Sequence, residues 1–212
     1  MALYSIIKPM GQKLLKPFVD MFSKVDPNFL TLWGLIFSAL AGACFLFAEN
    51  RVWLLVAIPF ILLRMAFNVI DGMVARQTGK TSAYGEALAE FTDRLSDSCI
   101  IMGMAFSIYC HATFGLLGLV AVLIVSYVGI LSKAVGADRK FGGLMGKVDR
   151  LILIMVFCLA QYLFPHVWVP AWEGFKNFDL LMALLIMGSG ITVFQRWQMI
   201  RQQLTGDREK NG

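Results

Sequence analysis

Six apolar stretches of similar length, separated by short polar breaks, run along the chain at residues 28–48, 52–75, 86–109, 113–133, 148–165 and 178–196. Each approaches the ~20 residues that a helix needs to cross a hydrocarbon core. The pattern predicts an all-α integral membrane fold of six transmembrane helices. Ahead of them, Leu3, Ile6, Ile7, Met10, Leu14, Phe18 and Phe22 recur at helical spacing, with Lys8, Lys13, Lys16 and Lys24 on other faces. That predicts an N-terminal amphipathic helix lying in the membrane interface, which Pro9 and Pro17 can bend. An ordinary packed surface helix would give the same pattern. Asp26-Pro27-Asn28 ends it. The chain reads as one domain over 1–212: an interfacial helix (1–26), a six-helix bundle (28–197) and a loose polar tail (198–212).

Composition strengthens the membrane reading. Hydrophobic residues make up 58% of the 212 and charged residues only 16%, with a mean hydropathy of +0.69. Soluble domains are about a quarter charged, so this chain would lack the polar surface to coat a soluble globule. The net charge of +5 does not point to nucleic acid, because the basic residues flank the spans. Lys8, Lys13, Lys16, Lys24, Arg76, Lys80, Lys133, Arg139, Lys140, Lys147, Arg196, Arg201, Arg208 and Lys210 gather on one side, against Arg51 and Lys176 on the other. This asymmetry predicts that both termini face the cytoplasm, as do the 76–85 and 134–147 loops. Cys44, Cys99, Cys110 and Cys158 lie in apolar stretches without metal-ligand spacing and read as small apolar residues. No cleavable signal peptide is legible.

Charges inside the spans carry the chemistry. The second span holds Arg64, Asn68 and Asp71, and the third holds Glu86, Glu90, Asp93, Arg94 and Asp97. Ionisable groups at such depth cost several kcal/mol unless paired, wetted or metal-bound. Steps of three and four residues put Arg64, Asn68 and Asp71 on one helix face and Glu86, Glu90, Asp93 and Asp97 on one face of the next. The two spans form a hairpin, which predicts Asp71 and Asp93 at similar depth, facing each other. Carboxylates so close repel unless cations lie between them, and oxygen ligands of this kind suit Mg²⁺ or Mn²⁺. A proton relay, or a structural Arg–Asp network built on Arg64 and Arg94, fits the same spacing.

Asn68-x-x-Asp71-Gly72-x-x-Ala75-Arg76, eight residues, Gly85, then Asp93 and Asp97 resembles the CDP-alcohol phosphatidyltransferase family. Its signature reads D-x2-D-G-x2-A-R-x8-G-x3-D-x3-D. Pro27-Asn28-x-x-Thr31 and Gly146-Lys147-x-Asp149-Arg150 are similar to family segments before the first and fifth spans. The second span is also similar to that of a little-characterised bacterial inner-membrane subgroup. The resemblance implies a metal-dependent enzyme with its site on the cytoplasmic side. It would transfer a substituted phosphate from a CDP-linked donor, such as CDP-diacylglycerol, to an alcohol, with release of CMP. It also implies a homodimer.

By the same resemblance, Asn68, Asp71, Asp93 and Asp97 would hold metal, and Asp93 or Asp97 would be the general base. Gly72, Ala75 and Gly85 would leave room for the nucleotide. Arg76 would neutralise diphosphate charge, Thr31 would help at the cytidine pocket, and Lys147 and Arg150 would attract an anionic acceptor. Two positions depart from the signature: Asn68 replaces its first Asp and, aligned without a gap, Ala89 its third. Fewer carboxylates leave three readings open: weaker metal binding, one metal instead of two, or an inactive homologue. A transporter and a catalytically dead scaffold are the rivals. The transporter predicts carboxylates spread through the membrane depth, whereas these cluster in one half.

Overall fold

A computed structural model describes residues 14–137, 143–164 and 174–210, and all regular structure among them is helical. A short helix over 14–21 leads into six longer ones. These are α1 (Pro27–Leu46), α2 (Val52–Gln77), α3 (Ala83–Ala105), α4 (Ala112–Ala134), α5 (Lys147–Leu163) and α6 (Asn177–Lys210). The starts and most of the ends fall within a few residues of the expected spans.

Local chemistry sets the boundaries. Asp26 caps α1 by accepting the Asn28 N–H at 2.8 Å, and Pro27 occupies the first turn, where its missing N–H costs nothing. Between α2 and α3 the chain reverses in a few residues. Gly79 takes a positive φ of 68°, which lets the Lys80 N–H reach back to the Ala75 carbonyl at 3.0 Å. That is a Schellman closure, which favours glycine at this position. Ser82 then caps α3 by accepting the Gly85 N–H at 3.0 Å. This tight hairpin puts the end of α2 beside the start of α3.

Among the described residues, four helices are long and apolar enough to cross a membrane: Pro27–Leu46, Val52–Gln77, Ala112–Ala134 and Asn177–Thr205. The other two fall short for visible reasons. Helix α3 carries Glu86, Glu90, Asp93, Arg94 and Asp97, and α5 has only 17 residues. Large apolar side chains stand exposed around the bundle, among them Phe29, Leu32, Leu62, Leu117, Tyr127 and Phe194. In water such a surface would be a liability; in lipid it is the solvated face.

The bundle is divided along its length. One half is a continuous apolar core in which Phe45, Leu54, Ile61, Ile100, Met104, Phe178, Met182 and Leu185 interlock. At that end Asp179, fully buried, pairs with the His111 ring at 2.6 Å and accepts the Lys176 N–H at 2.8 Å. The other half contains Asn68, Asp71, Asp93, Asp97, Lys147 and Arg150.

Helices α1 and α3 approach backbone to backbone. A Cβ on Gly103 would lie 2.2 Å from the Gly42 carbonyl oxygen, and one on Gly42 would lie 2.3 Å from that of Cys99. Small residues permit such crossings where helices pack in lipid. Gly103→Ala should therefore destabilise the protein by about 1–3 kcal/mol, the usual cost of overpacking. Gly190, whose added Cβ meets nothing within 4 Å, is the control. Melting in detergent should separate the two, with Gly190→Ala unchanged or slightly raised.

Two expectations are corrected or sharpened here. Residues 198–210 are the end of α6, not a loose tail; Arg, Gln, Glu and Lys are good helix formers. Of the amphipathic helix, residues 1–13 lie outside the described residues. Over 14–21, Leu14 and Phe18 are exposed, and the buried anchor is Val19, packed with Leu30, Ile70 and Val74.

Candidate active site

The signature residues of α2 point toward α1 and α3. Thr31, buried on α1, donates its hydroxyl to Asp71 Oδ2 at 2.7 Å. The other oxygen of Asp71 accepts the Gly72 N–H at 2.5 Å. Asp71 is itself buried, so these two donors supply what water would otherwise provide. Three residues earlier, close to one helical turn, the Asn68 amide donates to Asp93 Oδ1 on α3 at 2.9 Å. Asn68 thus spans the two helices, and Asp93 lies within electrostatic reach of Asp71.

Asp93 collects positive charge. The Lys147 ammonium, from the first turn of α5, contacts the same Oδ1 that Asn68 reaches. Arg94 approaches Asp93 Oδ2 at 3.9 Å, but its close partner is Glu90, one turn back on α3.

Asp97, one turn deeper, has a different environment. Arg64 donates to its Oδ1 at 2.6 Å and Arg150 to its Oδ2 at 2.8 Å. All three side chains are buried, Arg64 to 1% exposure. The triad ties α2, α3 and α5 together and carries one net positive charge. Two guanidinium nitrogens of Arg64, Nε and Nη1, find no partner among the described residues. A small cavity lined by Asp97, Arg150, Ile100, Ile154 and Leu185 lies beside the triad.

The structure therefore brings Asn68, Asp71, Asp93, Thr31 and Lys147 into one cluster, with Asp97 and Arg150 directly beneath. The remaining candidates lie toward the hairpin. Arg76 is exposed, with its guanidinium 3.5 Å from where a Gly72 Cβ would stand. Ala75 lends its carbonyl to the turn. Gly85 leaves a gap that a Cβ would fill, 3.2 Å from Asn28 Oδ1 and from Ser82 Oγ. Asn28 was not foreseen beside Gly85, nor Thr31 as a partner of Asp71. Their own spacing signals neither, because both contacts join α1 to distant elements. Among the described residues, no group of three or more His, Cys, Asp or Glu side chains could hold a metal ion.

The description "CDP-alcohol phosphatidyltransferase" belongs to the family model that matches residues 24–194, most of the chain. The chain belongs to that family. It is an enzyme of the CDP-alcohol phosphatidyltransferase class, and the cluster just described lies within the matched residues. It is 30% identical over 189 residues to the inner membrane protein YnbA of Escherichia coli (strain K12), covering 88% of this chain and 91% of that protein. The phosphatidylinositol phosphate synthase of Mycobacterium tuberculosis, solved with CDP-DAG bound, superposes with a TM-score of 0.64 at 25% identity, covering 92% of this chain and 94% of that one. The same enzyme in complex with manganese and citrate is 24% identical, with a TM-score of 0.65 over 91% of this chain and 88% of that one. Four apolar helices and a membrane-protein relative make this an integral membrane protein.

Proposed function

We propose that the protein transfers a phosphatidyl group from CDP-diacylglycerol to an alcohol acceptor and releases CMP, in phospholipid biosynthesis. All six helices cross the membrane, both termini and the site face the cytoplasm, and the protein works as a homodimer. The positive residues at the site end of the bundle support this orientation. The observation that carries the chemistry is the Asn68–Asp93 contact, which joins the two halves of the signature.

A divalent cation, Mg²⁺ or Mn²⁺, fits the donors present: two carboxylates, Asp71 and Asp93, and the Asn68 amide oxygen, all hard ligands. When bound, it would neutralise and orient the donor's diphosphate. Asp97 is less suited to that task, since both of its oxygens are taken by arginines; it positions Arg64 and Arg150. Thr31 holds the Asp71 carboxylate in a fixed orientation. Gly72, Ala75 and Gly85 leave the backbone open to the nucleotide, and Arg76 lies where diphosphate charge needs an opposing cation. Lys147 and Arg150 favour an acceptor that is itself anionic.

Asp93 is the general base. It takes the proton of the acceptor hydroxyl as that oxygen bonds to the β-phosphorus, which carries the lipid. The bond from that phosphorus to the bridging oxygen breaks, and the electron pair leaves with CMP. Positioning of the two substrates supplies the rest of the rate.

The test is direct. Purified protein is incubated with CDP-diacylglycerol, Mn²⁺ and a panel of alcohols that includes inositol phosphate. CMP and a new phospholipid of matching mass are expected with one acceptor. CMP release with no acceptor, or none under any condition, would sink the proposal.

A further inference from the structure

We infer that this site takes one divalent cation, and that the Lys147 ammonium occupies the place of a second positive charge. The inference rests on the metal dependence proposed above. A two-metal phosphoryl-transfer site holds its ions about 3.5–4 Å apart, and each ion needs its own hard oxygen ligands.

Counting oxygens leaves too few for two. Asp97 is one turn below the cluster, and each of its oxygens is engaged by a buried guanidinium. Ala89, one turn before Asp93 on the same helix, brings no ligand atom. Glu90 is committed to Arg94. Asp71, Asp93 and the uncharged Asn68 remain.

Those donors also meet a resident cation. Lys147 and the Asn68 amide converge on one oxygen of Asp93. The ammonium comes from α5, whose first turn is anchored where Asp149 accepts the Gly146 N–H at 3.0 Å. Two carboxylates and one ammonium leave a single net negative charge. One Mg²⁺ or Mn²⁺ converts that to a single net positive charge, a suitable host for a diphosphate. A second divalent ion would have to displace the ammonium or lie against it, and like charges at contact distance repel. Lys147 thus supplies, from within the chain, charge that would otherwise come from solution, and it competes with the bound ion for Asp93.

The test reads binding, not turnover. Mn²⁺ is titrated into purified protein in detergent and followed by electron paramagnetic resonance and calorimetry. One ion per chain is expected. Lys147→Gln should bind that ion at least about tenfold more tightly, because a competing cation has gone. Lys147→Arg should stay near the wild-type affinity. Two ions bound by the wild-type protein would overturn the inference while leaving the metal reading intact. Unchanged or weaker binding by Lys147→Gln would overturn the part given to Lys147, and if that variant fails to fold, the wild-type stoichiometry still decides between one ion and two. No Mn²⁺ bound by any of these proteins would remove the metal reading itself.

Discussion

Asp93→Ala should lower CMP release by about 10²–10⁴-fold, the usual contribution of a positioned general base. Asp71→Ala should be as damaging, since it removes a carboxylate from a cluster that keeps only one other. Neither change should unfold the protein. Asp93 is partly exposed, and the groups it frees, Lys147 and Asn68, stand at the cluster where water can reach them. Asp71→Ala frees only a threonine hydroxyl and a backbone N–H. The measurement is CMP formed per minute by variants with wild-type melting profiles and elution volumes. Wild-type rates in either variant would end the assignment of this cluster to catalysis.

Asp97→Ala should behave differently, failing through stability. It would strand two buried guanidiniums, Arg64 and Arg150, with no counter-charge. Removing one partner from a buried ion pair costs about 3–5 kcal/mol. The expected result is a sharp drop in melting temperature or a loss of folded protein from the membrane. Replacing the whole triad should reverse much of that loss, because apolar residues of similar volume pack without desolvated charge. Arg64→Met, Arg150→Met and Asp97→Leu combined should melt well above Asp97→Ala alone. An Asp97→Ala protein that melts like the wild type but releases no CMP would overturn this, and would make Asp97 a catalytic residue.

The contrast between Asp93 and Asp97 marks how far the sequence could be read. The spans were legible because lipid imposes length and apolarity on each crossing helix independently. The α2–α3 hairpin was legible because its signature sits within one continuous stretch, and helical period alone puts Asn68, Asp71, Asp93 and Asp97 on facing sides. Two things were not legible. Which carboxylate keeps which partner depends on Arg64 and Arg150, 33 and 53 residues from Asp97, and no local period reports that distance. The face of the N-terminal helix that is buried was also hidden. In lipid, exposed Leu14 and Phe18 and buried Val19 are equally apolar, so hydrophobicity alone cannot say which one packs inward.

Among the described residues, helix α5 packs against α2 and, lightly, α6, while α1 packs closely against both α2 and α3. Yet α5 brings both Lys147 and Arg150 to the carboxylates. Its seat in the bundle is thus fastened by these charges as well as by the burial of Leu151, Ile154 and Cys158 in the apolar core. On the function proposed above, a nucleotide's phosphates entering beside Asp93 would alter an attraction that helps to moor this helix, so substrate arrival would be felt as a load on one wall of the site.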